Sequence, residues 1–148
     1  MKVYIASDHA GFAAKNALKQ ALGGEYSVED LGPVELNPAD DYPVYAVKVA
    51  KAVTSAPGTL GLLVCGSGQG MAIAANKLVG IRAAVAWNEE VAAETRADND
   101  SNILSLPSRF LNEQQLLAVT KKWLETSFSG EERHRRRINE ISQIEKHS

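Results

Sequence analysis

The sequence predicts an α/β protein: a three-layer α/β/α sandwich around a five-stranded parallel sheet, Rossmann-like, in a single domain over residues 1–148. Two observations predict it. Short apolar runs alternate with helical patterns from end to end, which argues for a parallel sheet covered on both faces. The runs are also continuously apolar, as strands buried on both faces are. No internal repeat and no long linker divides the chain.

The elements follow in order. Val3–Ala6 reads as a short buried strand. Gly11–Leu22 reads as a helix, with Phe12, Ala14, Leu18 and Leu22 near helical spacing and Gly23-Gly24 ending it. Tyr26–Leu31 is a second strand, and Gly32–Asp41 a loop rich in Pro and Asp. Tyr42–Val53 is a helix with Pro43 in its first turn, where a missing N–H costs little. Leu60–Val64 is a third strand and Gly68–Leu78 its following helix. Ile81–Ala86 and Glu89–Ala97 repeat the pattern. Ile103–Leu106 is a fifth strand, and Asn112–Thr126 and Glu131–Lys146 are closing helices. In such folds ligands bind outside the carboxyl ends of the strands. That rule selects Ser7–Gly11, Gly32–Tyr42, Cys65–Gly70, Trp87–Asn88 and Pro107–Arg109.

Composition narrows the function classes. At 148 residues, 45% hydrophobic, with a net charge of −2, the chain has the size and apolar content of one compact core. MKVYIASDHAG lacks the basic and long apolar regions of a secretory signal, and no apolar stretch approaches the roughly 20 residues of a membrane span. The expected address is cytoplasm. Cys65, the only cysteine, can form neither an internal disulfide nor a cysteine zinc cluster. His9, His134 and His147 have no close metal-ligand spacing.

The segment LLVCGSGQGMAIAANK carries the most information. It reads strand, then Cys-Gly-Ser-Gly-Gln-Gly, then helix. Glycines let the backbone turn sharply and leave N–H groups uncovered, and at a helix N-terminus such groups favour negative charge. The same field is expected to favour a thiolate at Cys65. One turn then supplies a base and an oxyanion hole. The alternative is that Cys65 is a small buried hydrophobe and the glycines serve close packing. A dinucleotide-binding reading fits poorly. Gly66, Gly68 and Gly70 make G-x-G-x-G, Met71 occupies the last fingerprint position, and no Gly-Lys-Ser/Thr follows.

Ser7-Asp8-His9-Ala10-Gly11 ends the first strand and opens the first helix. Asp8 or Ser7 is expected to cap that helix, and an Asp-His pair at a strand's carboxyl end is also placed to touch substrate. Arg133-His134-Arg135-Arg136-Arg137 is a basic run in a slightly acidic protein. Arg133 and Arg137, at i and i+4, share a helix face and match a phosphate dianion. The alternative is a solvated face of surface ion pairs. Five residues without an extended basic, aromatic surface argue against nucleic acid. Arg109, just after the fifth strand, is a better-placed single phosphate ligand.

Together these segments resemble the ribose-5-phosphate isomerase type B family, which also includes the subunits of galactose-6-phosphate isomerase. The matching pieces are SDHAG (7–11), DYP (41–43), the Cys-Gly-Ser-Gly-x-Gly loop with its AANK helix (65–77), GIRA (80–83), NDSN (99–102), PSR (107–109) and RHRRR (133–137). They span nearly the whole chain in order. The resemblance implies an aldose–ketose isomerase acting on a sugar phosphate, ribose 5-phosphate and ribulose 5-phosphate being the family's commonest pair. It implies no metal, no organic cofactor, and a homodimer, with tetramers open, whose sites lie between subunits. The C-terminal helix, about 131–146, would complete the partner's site. Cys65 would take the proton from the carbon beside the carbonyl. Ser67 would move protons between the two oxygens, and backbone N–H groups from Gly66 through Gly68 to Gly70 would hold the enediolate. Asp8 and Tyr42 would hold sugar hydroxyls, and Asn99 the sugar or the oxyanion. His9, Arg109, Arg133 and Arg137 would bind phosphate, with His134 nearby.

One position departs from that pattern. Many members of the family have His immediately before the Asn, where it assists opening of the furanose ring; here Asp98 stands there. A carboxylate ionised at neutral pH is a poor proton donor to a ring oxygen. Three readings follow. Asp98 replaces His with an adjusted pKa; or ring opening proceeds in solution or through His9; or the substrate needs no ring opening, as with a tetrulose 4-phosphate.

Overall fold

Five segments form strands, β1 (Lys2–Ser7), β2 (Ser27–Asp30), β3 (Leu60–Cys65), β4 (Ala83–Val85) and β5 (Ile103–Pro107), in a computed structural model that describes residues 1–148; all but β2, the polar edge segment Ser-Val-Glu-Asp, are mainly apolar. They pair in the order β2-β1-β3-β5-β4, all parallel. Between β1 and β3 the winding reverses, so the loops that leave these two neighbours diverge and open a crevice at their carboxyl ends.

Side chains alternate across the sheet. Val3, Ile5, Leu62, Val64, Leu104 and Leu106 face α1 (Phe12–Leu22) and α5 (Glu113–Glu125), which contribute Leu18, Leu22, Leu116 and Trp123. Tyr4, Ala6, Leu63 and Cys65 face α2 (Tyr42–Ser55) and α3 (Gln69–Ala75), which contribute Ala46, Val49, Ala50, Val53, Met71 and Ala75. The sheet is therefore covered on both sides, as the continuous apolar runs predicted. Two further helices, α4 (Glu89–Asn99) and α6 (Glu132–Lys146), complete the chain. No helix is long and apolar enough to cross a membrane.

Boundaries differ from the sequence reading where side chains intervene. The helix expected over Gly68–Leu78 stops at Ala75. Asn76 then turns its amide onto the next strand: its Nδ2 donates to the Ala83 carbonyl at 2.9 Å and its Oδ1 accepts from the Ala83 N–H at 2.7 Å. Asn76 thus takes the place of a neighbouring strand on the open edge of β4, which is only three residues long. The helix expected over Glu89–Ala97 runs on through Asp98 and Asn99, and ends at Asp100 in the left-handed conformation, φ 46°.

Lys15 is fully buried on α1, a position the sequence left without a role. Its Nζ donates to both Asp30 oxygens, at 2.8 and 3.0 Å, and to the Pro33 carbonyl at 2.6 Å. This ion pair ties α1 to the end of β2 and anchors the start of the 32–41 loop. By contrast α6 buries only His134, and its Ile141 and Ile144 are exposed.

Candidate active site

The crevice between β1 and β3 holds a cavity of about 260 Å³ lined by Asp8, His9, Tyr42, Cys65, Gly66, Ser67, Gly70 and Arg109. Every one is a residue the sequence singled out. Cys65 ends β3 with its sulfur on the α2/α3 side. Gly68, with φ +76°, turns the chain into α3, a conformation that disfavours any side chain. The turn is pinned from β5. Ser105 Oγ donates to the Gly68 carbonyl at 2.6 Å, Ser108 N–H to the Cys65 carbonyl at 2.9 Å, and Arg109 N–H to the Gly66 carbonyl at 3.0 Å.

Two glycines are required by close approach rather than by angle. A Cβ on Gly66 would lie 2.8 Å from the guanidinium carbon of Arg109, and a Cβ on Gly70 would lie 2.5 Å from the Tyr42 ring. The bare backbone therefore lets the Arg109 cation and the Tyr42 phenol close onto the loop. Ser67 Oγ accepts the Gln69 N–H at 3.2 Å.

Backbone N–H groups of Met71, Gly68 and Ser67 converge on Cys65 Sγ, that of Gly68 at 3.2 Å. The expectation of a favoured thiolate is corrected, however. Burial pushes the Cys65 thiol above its ordinary value, and the Asp8 charge adds to that; the N–H groups pull the other way and do not prevail. The resting group is a thiol, and its thiolate is scarce but correspondingly basic. The expected helix cap is also corrected. Gly11 occupies the N-cap of α1 without a side-chain bond, while Asp8 Oδ1 accepts the Gly11 N–H at 3.1 Å and so closes the preceding turn. Ser7 Oγ is buried and caps nothing.

Asp98, Asn99, Arg133, His134 and Arg137 are not brought to this cavity. The helix α4 starts from the carboxyl end of β4 and returns to the amino end of the sheet. There the Asn99 carbonyl accepts from Arg82 Nε at 2.9 Å, one residue before β4 begins. At about 3.3 Å per residue, β3 alone separates the two ends of the sheet by roughly 17 Å. His134, buried, sits 3.6 Å from Asp98 Oδ1 through Nε2 and 2.7 Å from Ser129 Oγ through Nδ1. The basic run includes the surface pairs Arg133–Glu131, at 3.2 Å, and Arg136–Glu132, at 3.1 Å. Of the loop ends selected by the fold rule, Trp87–Asn88 lies outside the cavity, and Asn88 caps α4 by accepting the Val91 N–H at 2.8 Å.

Three residues of the site region were given no role in the sequence, although Ser108 lies in the PSR segment (107–109). Ser105 and Ser108 pin the glycine turn, and Asp40 accepts from both His9 N–H and His9 Nδ1. Ser105 left one signal, a polar residue inside an apolar strand; Asp40 left none beyond its place in an acidic loop. No cluster of three or more His, Cys, Asp or Glu side chains is arranged to hold a metal ion.

The family model described as Ribose/Galactose Isomerase matches residues 3–141. The chain belongs to that family. Ribose-5-phosphate isomerase B from Clostridium thermocellum superposes with a TM-score of 0.95 at 41% identity, covering 99% of this chain and 98% of that one. The Mycoplasma genitalium enzyme, solved with bound ribulose 5-phosphate, also gives 0.95, at 38% identity, with 99% and 97% covered. A probable ribose-5-phosphate isomerase B of Mycoplasma pneumoniae is 40% identical over 97% of this chain and 95% of its own. An isomerase of this family needs a base, an oxyanion cradle and an anchor for the substrate, and the cavity presents candidates for each. The α/β sandwich read from the sequence is the family's fold, and this chain is an isomerase.

Proposed function

We propose that this isomerase interconverts ribose 5-phosphate and ribulose 5-phosphate through an enediolate, with Cys65 as the base. The observation that carries the reading is the cavity between β1 and β3. A cysteine sulfur lies under converging backbone N–H groups, with Asp8 and Tyr42 beside it and His9 and Arg109 lining the same space. Starting from the aldose, the Cys65 thiolate takes the C2 proton. The electrons of that bond form the C1–C2 double bond, and O1 becomes the enediolate oxygen, held by the N–H groups of the glycine turn. The Ser67 hydroxyl carries a proton from O2 to O1, and Cys65 returns its proton to C1. His9 and Arg109 hold the phosphate, which fixes the sugar over the sulfur.

A second copy of the chain completes the site. Asp98, Asn99, Arg133 and Arg137, with His134 behind them, lie far from their own cavity and are supplied to a partner's in a homodimer. The exposed Ile141 and Ile144 give α6 an apolar face to bury there. Turnover of ribose 5-phosphate, abolished by Cys65→Ala, tests the chemistry; an unchanged rate in that variant removes Cys65 from its role. Mixing inactive Cys65→Ala and Arg137→Ala proteins tests the shared site. In a two-fold dimer random exchange makes half the dimers mixed, each with one intact site, so about a quarter of wild-type activity returns. No recovery rules out the shared arrangement.

One observation favours a second substrate. Asp98 faces His134 instead of presenting an imidazole of its own, which suits a tetrulose 4-phosphate that needs no ring opening. A stronger kcat/KM for the tetrulose than for the pentose decides for that substrate.

A further inference from the structure

We infer that Asp40 is a positioning residue for His9, one that holds its ring in a single tautomer with Nε2 turned to the substrate. Asp40 closes the loop between β2 and α2, and its side chain is 4% exposed. One oxygen, Oδ1, accepts two hydrogen bonds from the same residue: the His9 backbone N–H at 3.0 Å and His9 Nδ1 at 2.8 Å. A carboxylate accepts and does not donate, so Nδ1 carries the hydrogen. Nε2 is then the ring nitrogen left for the cavity that His9 lines. In the neutral ring it accepts from a sugar hydroxyl, and in the charged ring it donates to a phosphate oxygen.

The pair is more than a loop staple. Asp40 Oδ2 is buried and finds no donor. Nothing but His9 hydrogen-bonds this carboxylate, so removing the His9 contacts leaves a buried charge with no partner. The loop itself is fixed independently at its other end, where Lys15 holds Asp30 and the Pro33 carbonyl. Asp40 therefore rests on a preset loop and acts on the ring. An imidazole with a free Nδ1 would be able to rotate about its side-chain bonds and present either nitrogen; backed by Asp40 it presents one. Groups that orient a metal-ligating imidazole in this way typically contribute about 10- to 100-fold, and an effect on that scale is expected for His9.

The inference rests on His9 touching substrate, as in the proposed function, and two measurements keep the failures apart. The first is the ¹⁵N spectrum of the histidines in the free enzyme at mildly alkaline pH, with His9 assigned by its loss in His9→Gln. Wild type shows His9 protonated at Nδ1, and Asp40→Ala moves it to the Nε2–H form that free imidazole side chains prefer. An unmoved tautomer overturns the inference whatever the substrate is. The second is a double-mutant cycle on kcat/KM for ribose 5-phosphate. Asp40→Ala lowers it at least tenfold in wild type and less than about twofold in His9→Ala, because two residues acting through one contact are not additive. Equal losses in both backgrounds reduce Asp40 to a loop staple. Asp40→Asn keeps an acceptor of nearly the same volume and retains most of the rate. Asp40→Ser, too short to reach the ring, gives the same readings should Asp40→Ala not fold. A wild-type enzyme inactive on ribose 5-phosphate but locked in the Nδ1–H tautomer refutes the substrate assignment and leaves the role of Asp40 standing.

Discussion

Gly70→Ala separates the geometry of the site from the stability of the fold. A Cβ at position 70 would sit 2.5 Å from Tyr42 Cε1 and 2.6 Å from Cζ. Carbon atoms rest at about 3.5 Å or more, so the ring must withdraw by roughly 1 Å. Tyr42 is 41% exposed and has room to swing outward, so the clash is relieved at little cost to the fold. Gly70 lies in the first turn of α3, where alanine is the better helix former by up to about 1 kcal/mol. The variant should therefore unfold at the same urea concentration as wild type or a higher one. Its activity should fall sharply, because a displacement of about 1 Å in a positioning group can cost on the order of 100-fold. Steady-state kcat/KM for ribose 5-phosphate, beside a urea titration, reads both effects. Unchanged kcat/KM refutes the reasoning. So does a further 100-fold loss when Gly70→Ala is added to Tyr42→Ala, since the clashing ring is then absent.

The remaining predictions concern protons and buried polar groups. Because burial raises the Cys65 thiol, kcat/KM should climb with pH through and beyond the ordinary thiol value of 9.0; a plateau at neutral pH would exclude Cys65 as the titrating base. The same shift gives native-state stability that is complete below 9.0 and declines above it, and Cys65→Ala should remove that decline. Burial pushes the Asp30 carboxyl up, but hydrogen bonds from Lys15, the Gly32 N–H and Lys19 outweigh it and hold the group below 3.8. Its contribution to stability is therefore full above pH 3.8 and lost as pH falls through the lower native value, a loss absent in Asp30→Ala. Asp30→Ala should also cost about 3 kcal/mol in urea unfolding at neutral pH, since it strands a buried lysine; a cost below about 1 kcal/mol would show that Lys15 finds other partners. Ser105→Ala removes the donor to the Gly68 carbonyl and should destabilise by about 1–3 kcal/mol while loosening the glycine turn, which on the proposed function is visible as a lower kcat.

The sheet was readable because its period is imposed by water. A run such as Leu60–Val64 carries no polar side chain, and only a strand covered on both sides needs that. The lining of the cavity was readable for a related reason: carboxyl ends of strands can be located once the strands are, and Asp8 follows β1, Cys65 ends β3 and Arg109 lies two residues beyond β5. What the sequence hid depends on which groups meet across long separations. Asp40 reaches His9 from 31 residues away, and Ser105 reaches Gly68 from 37. Asn76 ends a helix early by bonding the next strand, Ala83 of β4, a contact that the helix's own pattern does not announce. The state of Cys65 was misjudged because its local field and its burial oppose each other, and burial is a property of α2, α3 and the sheet together.

The separation of the two groups of polar residues has a physical cause in the topology. In a parallel sheet each crossover helix carries the chain from the carboxyl end of one strand back to the amino end of the next. Residues at a helix C-terminus, such as Asp98 and Asn99, are therefore delivered to the end opposite Cys65, and no rearrangement of side chains within one chain closes a gap of roughly 17 Å. Cys65, the glycine turn and the His9–Asp40 pair form one unit that a single chain builds for itself. The arginines of α6, with only His134 of that helix buried, are displayed outward on an element that has little else to hold it. The proposed two-fold dimer would place such an outward element against the open crevice of a neighbour, and the same symmetry operation would do so twice. The shared-site test therefore probes the fold as much as the chemistry: recovery of activity from two dead variants requires that the helix which leaves one sandwich end on the other.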